Sequence, residues 1–413
     1  MDDNKQEKKK EDYIFGLDIG ASKINLFVGI SEGENVRVVE CGDFPLANAE
    51  EYDQVVETLQ QAVQVIENST RVDVRDVYVG IAGKHVLSFS YKGIVTLPTG
   101  EVREEDIENV KKQASTLPVS AGEIIHVFPG EYTLDDEEHI RNPKGRSGRR
   151  LGVEVQLVTS RQNAMQNLAK CVNRAGLNVA GFVLEPLAAA CAVLTDDERE
   201  LGVALVDIGA GSADIAVFVN DSVRYTASLD LAGNVITSDI SKCLNVPISL
   251  AKAEEIKKKY GTCVLSNLIE DETFPVPAVG GRGDVPCSRK LLSNVITARV
   301  DEIFKLLAKD LKKHQLDGII NGGVVLTGGC CALEGIENIA SKAFNQPVRI
   351  GRPKGMSGIQ EAFQKPSYAT GIGLLHYANR QHRDKKKNET GAQIAVSVKK
   401  GMKRIFDIVK TYF

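Results

Sequence analysis

Apolar and polar positions along the chain fall into short alternating runs separated by longer stretches of helical spacing. Two of the alternating runs share one text. In the second, LVDIGAGSADIAVF from Leu205 to Phe218, an apolar strand carries Asp207 into a turn of Gly209, Ala210, Gly211 and Ser212. Ile215, Val217 and Val219 then alternate outward as a second strand, so the stretch predicts a β-hairpin. The first, FGLDIGASKINLFVGI from Phe15 to Ile30, repeats Asp-Ile-Gly-Ala with Asp18 lying 189 residues before Asp207. That distance is too long for a solenoid repeat and predicts two related domains, each presenting one hairpin to a shared cleft. Alone, such a turn is an ordinary hairpin. Its glycines nevertheless let backbone N–H groups approach an anion, and an aspartate beside a phosphate makes sense where it holds a hydrated Mg²⁺.

The remaining pattern fills in around these hairpins. Val36 to Asp43 reads as a third strand, Glu50 to Glu67 as a helix (Val55, Val56, Leu59, Ala62, Val63, Ile66), and Asp76 to Gly83 as a strand. A β-β-β-α-β order predicts a mixed sheet with a crossover helix. Between His85 and Arg161 the character changes to strand, charged helix, strand and a polar loop carrying Arg141, Lys144, Arg146, Arg149 and Arg150, which reads as an inserted subdomain. The loop is either a solvated connection or an anion site. Asn163 to Ala175 resumes the first domain as a helix, and Phe182 to Leu194 is a strand end entering an alanine-rich helix with Glu185 at its start. After the second hairpin, Ser249 to Gly261 is a helix with Ser249 as cap, Pro275 to Arg282 a Gly/Pro loop, and Ser288 to His314 a long helix. The strand VVLTGG brings Gly328 and Gly329, where a planar ligand can lie on the backbone or where the chain simply turns. Pro366 to Ala378 is a small-residue helix suited to close helix packing.

Composition narrows the class without choosing a function. The 413 residues are 43% hydrophobic and 26% charged, ordinary globular material long enough for several cores. A net charge of −4 gives no overall attraction to nucleic acid. Eight scattered cysteines show no metal-ligand spacing, which predicts reduced thiols and the cytoplasm. Residues 1–12 are charged, with no apolar core for a signal peptide, and read as a disordered lead. Residues 381–398 read as a flexible linker. Beyond it, Met402, Ile405, Phe406, Val409 and Phe413 share one helical face, with Lys403, Arg404 and Lys410 elsewhere. Such a face packs on protein or lies in a bilayer surface; the terminal position and five cations against Asp407 favour an anionic lipid surface anchor rather than a span.

In order, the two DIG hairpins, the Glu-Pro-x-Ala-Ala-Ala helix start, VVLTGG and YATGIGLL resemble the phosphate 1, connect 1, phosphate 2, adenosine and connect 2 motifs of actin-like ATPases over about residues 13 to 380. Within that superfamily the inserted segment, its NPKGRSGRRL loop and the tail resemble the FtsA family of bacterial cell-division proteins. The resemblance implies an α/β fold: a two-domain actin-like ATPase fold with mixed β-sheets flanked by helices, an inserted α+β subdomain of 1C type and a C-terminal amphipathic helix. It divides the chain into 13–84 with 162–201 and helix 366–380 (1A), 85–161 (1C), 202–237 with 317–365 (2A), 238–316 (2B) and the tail helix 399–413.

By motif position the resemblance implies that Asp18 and Asp207 hold Mg²⁺ through water, and that Gly20, Ser22, Lys23, Gly209, Gly211 and Ser212 grip the phosphates of ATP. Glu185 orients the attacking water, Glu254 and Lys257 lie on the ribose and adenine side, and Gly328 and Gly329 form the adenosine loop. Ala21, Ala210 and Ala213 replace residues that are often Gly or Thr in such proteins, which implies binding with slow hydrolysis. Implied partners are the C-terminal peptide of the tubulin-like FtsZ, other division proteins, further copies of the chain in a filament, and the cytoplasmic face of the membrane at the septum. A PilM-like pilus-assembly scaffold is the alternative, and an actin-fold kinase or Hsp70-like ATPase a more distant one.

Overall fold

The computed structural model describes residues 11–115, 122–244, 246–267, 272–277, 283–358 and 361–386. The tail helix expected at 399–413, most of the linker and most of the N-terminal lead lie outside the described residues.

The first half opens as a meander, β1 (Tyr13–Ile19), β2 (Lys23–Glu32) and β3 (Asn35–Pro45). Helix α1 (Tyr52–Thr70) buries Val55, Val56, Leu59, Ala62 and Ile66, positions three or four apart that form one stripe, and returns the chain to β4 (Asp76–Ile81). Because β4 pairs in parallel with β1, α1 is the crossover that the strand order predicts.

The insertion follows as β5 (Val86–Thr96), α2 (Glu104–Ala114), β6 (Glu123–Leu134), β7 (Glu137–Ile140) and β8 (Arg150–Ser160), an antiparallel sheet in the order β5-β8-β6-β7. Ile107, Val110 and Ala114 of α2 close its core over Leu151, Val153, Val155 and Leu157. The chain then rejoins the first sheet through α3 (Gln162–Arg174) and β9 (Asn178–Leu184), which pairs with β4, and leaves by α4 (Glu185–Val193) and α5 (Asp196–Leu201).

The second half repeats the opening. Its meander is β10 (Val203–Ile208), β11 (Ala213–Val219) and β12 (Ser222–Leu229), followed by α6 (Gly233–Cys243) and α7 (Leu250–Tyr260). Ser249 caps α7 by accepting the Lys252 N–H. Next come β13 (Thr273–Pro277), β14 (Asp284–Ser288), α8 (Arg289–Lys313), β15 (Val324–Thr327), α9 (Ile336–Phe344), β16 (Val348–Ile350), β17 (Met356–Ser357) and α10 (369–386). The second sheet runs β12-β11-β10-β15-β16; β17 crosses back to complete the first as β17-β3-β2-β1-β4-β9.

Two expectations are corrected. The stretch read as a Gly/Pro loop from Pro275 begins inside a hairpin, β13 with β14, because Phe274 and Val276 alternate inward with Pro275 and Pro277 outward, and both strands of a two-stranded ribbon are edge strands, where proline is tolerated. The linker expected from 381 starts later, since α10 continues to 386. Arg383 pairs with Glu34 at 2.8 Å, Lys386 pairs with Asp12, and Asn379 donates to the carbonyls of Gly33 and Asn35 at 3.1 and 3.3 Å. The same contacts place Asp12, expected in the N-terminal lead, against folded structure.

Helices α4 and α10 cross between the two sheets. Ala189, Ala190 and Val193 share one core with Leu205, Ala216 and Val325 of the second sheet and with Ala369, Ile372 and Leu375. The crossing is tight: a Cβ added at Gly373 would lie 1.7 Å from the Ala188 carbonyl oxygen. The small residues of both helices exist for this approach, and it holds the two hairpins face to face.

Candidate functional site

The hairpins that look alike in sequence are alike in geometry. Ile19 pairs with Ile24 and Ile208 with Ala213, so each leaves a four-residue turn. Each turn closes by the same bond at 3.0 Å, Gly20 N–H to the Lys23 carbonyl and Gly209 N–H to the Ser212 carbonyl. The turns meet at their tips, where a Cβ added to Gly211 would stand 2.8 Å from the Ala21 Cβ. Only glycine facing alanine fits there. From behind, α6 fixes the second turn: Gly233 and Asn234 N–H groups donate to the Gly209 and Ala210 carbonyls at 3.2 and 2.8 Å, and the Cys330 thiol donates to the Gly209 carbonyl at 3.2 Å.

Four acidic side chains converge beneath the turns. Burial pushes Asp207 up to about 7; the Thr370 hydroxyl, donating at 2.8 Å, opposes this, while Asp214 and Asp18 add to it. Burial pushes Asp18 up to about 6, opposed by Lys23 and reinforced by Asp43. Glu185 is driven well above the ordinary carboxylate range by burial and then by Asp18, Asp214 and Asp207. Asp214 is raised by burial, against a 2.6 Å hydrogen bond from Ser212. Glu185 reaches the group because β9 ends at Leu184 and α4 begins at once, its side chain lying over Gly80, where an added Cβ would come within 3.1 Å of the Glu185 Cγ.

Carboxylates crowded together and held above their usual range, Glu185 and Asp207 partly by their neighbours in the group, are poised for a cation. Among the described residues no three His, Cys, Asp or Glu side chains can ligate one ion directly. Two aspartates with nearby backbone amides are hard oxygen donors that fit an ion held partly through its own water, as Mg²⁺ prefers.

The other residues singled out from the sequence occupy distinct places. Gly328 has φ +91°, and a Cβ there would lie 2.3 Å from Asp207 Oδ1, so this glycine serves the packing of the carboxylate itself. Gly329 is exposed with open space above it and is the one able to present backbone to a ligand. Lys23 turns to Asp43 at 3.2 Å and lies 4.8 Å over the Tyr368 ring. Ser22 is exposed at the first turn. Lys257 is buried and spends its three N–H bonds on Glu254 (2.6 Å), the Gly233 carbonyl (2.9 Å) and the Thr237 hydroxyl (2.9 Å), which fixes the start of α6 and leaves the partly exposed Glu254 as the accessible member of the pair.

Two members of the site escaped sequence reasoning. Asp214 stands directly across the ladder from Asp207, a position legible once the turn is known to have four residues. Thr370 lies 163 positions from its partner Asp207, and nothing local in YATGIG signals that contact. Three side chains of the basic loop are held by neighbouring elements: Arg141 binds Glu200 at 3.0 Å and Asn220 at 2.7 Å, Lys144 binds Glu104 at 2.8 Å, and Arg146 binds Glu137 at 2.6 Å. All eight cysteines are free thiols. Among the described residues no helix is long and apolar enough to cross a membrane.

Comparison with known proteins agrees with this architecture. The family model described as cell division protein FtsA matches residues 204–373, and that of the SHS2 domain inserted in FtsA matches residues 83–159. The chain is 38% identical to cell division protein FtsA of Pseudomonas aeruginosa over 379 residues, 90% of each chain. It is 35% identical to that of Escherichia coli K12 over 407 residues, 95% of this chain and 96% of the relative. Among solved structures, the PilM–PilN type IV pilus biogenesis complex superposes with a TM-score of 0.60 at 18% identity, covering 89% of this chain and 98% of the other. MreB5 of Spiroplasma citri bound to ADP gives 0.53 at 17% identity, covering 91% and 98%. At such identities the likeness is one of fold.

Proposed function

The chain belongs to the FtsA family of cell-division proteins, and from that premise we propose that it binds ATP with Mg²⁺ in the cleft between its two hairpins. The observation that carries the proposal is the group of Asp207 and Asp214, buried, with the half-buried Asp18 and Glu185, beneath two matched glycine turns: all four are held above the usual carboxylate range, Glu185 and Asp207 partly by the others, and a bound cation would relieve them. In this reading Asp18 and Asp207 hold the ion through water, and Thr370 fixes the Asp207 carboxylate. The bound ion supplies positive charge to the phosphates. The N–H groups of Gly20 and Gly209 close the turns, and the amides left over in the turns, that of Gly211 among them, face the phosphates; Gly329 meets the adenosine, and Glu254 lies on its ribose side. Glu185 orients the attacking water. Alanines at 21, 210 and 213 withhold hydroxyl contacts, so the site is suited to holding ATP as a switch and hydrolyses it slowly.

The remaining parts of the proposal follow the family. The chain self-associates into filaments, and its tail, residues 399–413, attaches it to the cytoplasmic face of the membrane at the division septum through Met402, Ile405, Phe406, Val409 and Phe413, with Lys403, Arg404 and Lys410 meeting anionic headgroups. The segment 238–316 receives the FtsZ C-terminal peptide, which tethers the division ring to the membrane. A pilus-assembly role draws only on likeness of fold, whereas the relatives above 30% identity are cell-division proteins. The test is co-sedimentation with anionic liposomes, with Mg-ATP and the FtsZ peptide added separately and together. Full-length protein should pellet with the vesicles and carry the peptide with it, and removal of residues 399–413 should release both. Unchanged pelleting after the truncation would refute the anchor, and absence of peptide from the pellet would refute the tether.

A further inference from the structure

The inserted subdomain reaches into the first half of the molecule through the His126 imidazole. β9 is the edge strand of the first sheet, and Leu184, its last residue, forms the final rung with Ile81 and is at once the N-cap of α4. Its side chain supplies no cap, and its own N–H donates instead to Nε2 of His126, on β6 of the insertion, at 3.0 Å. The next residue is Glu185. His126 is buried, tilted against Phe128 and edge-on to Tyr377 of α10, which itself packs edge-on against Tyr78 of β4, two residues before the Gly80 that underlies the Glu185 side chain. Burial pushes His126 down to about 4, so the ring is neutral with its proton on Nδ1, the tautomer that can accept the Leu184 N–H.

Five residues further along the same strand, Glu131 holds the other half of the molecule: Arg224 of β12 lies at 3.2 Å and the Asn220 amide donates at 2.7 Å. One strand of the insertion thus ties to both sides of the cleft. The tie to the first half falls on the peptide that sets the direction in which Glu185 leaves the sheet.

We propose that His126 is a positioning residue for Glu185, and that through its bond to Leu184 the inserted subdomain and the cleft carboxylates influence one another. The inference rests on the proposed reading of the cleft as an ATP site. Ligand that engages Glu185 stiffens the Leu184–Glu185 turn and with it β6, and by reciprocity anything that grips the insertion biases the carboxylate.

Hydrogen–deuterium exchange on the full chain tests this without requiring hydrolysis. In the wild type, Mg-ATP should slow exchange at both hairpins, 15–30 and 205–218, and should also slow it at least about twofold in β6, 123–134. His126→Phe, which keeps an aromatic ring and removes the acceptor, should retain the protection of the hairpins and lose that of β6. His126→Gln, whose amide oxygen can accept the same N–H, should restore it, which a loss of packing alone would not allow. If the His126→Phe chain fails to fold, His126→Leu, which likewise lacks an acceptor, takes its place and should keep the hairpins protected while losing the protection of β6. Hairpins protected with β6 unaffected in the wild type, or β6 still protected in His126→Phe, would overturn the inference alone. Absence of hairpin protection in the wild type would overturn the ATP reading and this inference with it.

Discussion

The carboxylates make the cleft a source of instability, and replacing the buried Asp207 by Asn should expose this. The folded protein holds the Asp207 proton up to about pH 7, whereas an unfolded aspartate releases it near pH 4. Between those values the folded state binds more protons than the unfolded, so stability falls as pH rises from about 4 to about 7 and stays lower above. The difference of about three pKa units, at about 1.4 kcal/mol each, makes the charged Asp207 cost about 4 kcal/mol at pH 8 and less than about 1 kcal/mol at pH 4. Asn at the same position has the same shape and can still accept the Thr370 hydroxyl, so most of that cost should vanish.

For 413 residues the unfolding entropy is about 0.9 kcal/mol/K, and a gain of about 4 kcal/mol corresponds to a Tm about 5 °C higher. The assay is thermal unfolding of wild type and Asp207→Asn in EDTA across pH 5 to 8, beside Mg-ATP binding at pH 7.5. The variant should melt higher, by an amount that shrinks toward low pH, and should lose Mg-dependent ATP binding. A variant that melts lower at pH 8, or whose gain is independent of pH, would refute the electrostatic account of the site.

Three other substitutions probe the geometry around that group. Gly211→Val forces branched carbon into the 2.8 Å approach to Ala21 and should weaken Mg-ATP binding at least about tenfold while circular dichroism stays native; unchanged affinity would show that the turn tips do not define the cleft. Gly373→Ala drives a Cβ to 1.7 Å from the Ala188 carbonyl and should destabilise the α4–α10 crossing by about 3 kcal/mol, read as a Tm about 3 to 4 °C lower, and a loss under 1 °C would contradict the close packing. Thr370→Val removes the hydrogen bond that holds Asp207 down, so the pH midpoint for Mg-dependent ATP binding, titrated from pH 6 to 9, should rise by about one unit; a fall would contradict the assigned role.

Local pattern determined a large part of this protein. The repeated Asp-Ile-Gly-Ala text predicted two hairpins because strand alternation and turn glycines act over a few residues, and the turns closed as expected with matching bonds. The α1 stripe, the Ser249 cap and the abrupt β9-to-α4 junction at Glu185 are likewise set by neighbours in sequence. The β13–β14 ribbon was legible in the alternation of Phe274 and Val276, but prolines at 275 and 277 obscured it.

Tertiary structure decided which polar groups are free and which are spent. Lys23 and Lys257 carry the right chemistry for phosphate or nucleotide contacts, yet each has a protein partner that only folding brings near, Asp43 and the start of α6, whereas Ser212 is engaged by Asp214 two positions along its own hairpin. The Thr370 bond to Asp207 and the His126 bond to Leu184 join positions 163 and 58 residues apart. Such pairings depend on how sheets and helices stack rather than on spacing along the chain. The raised affinity of the carboxylates for protons has the same origin, because burial is a property of the packed molecule and no short stretch of sequence carries it.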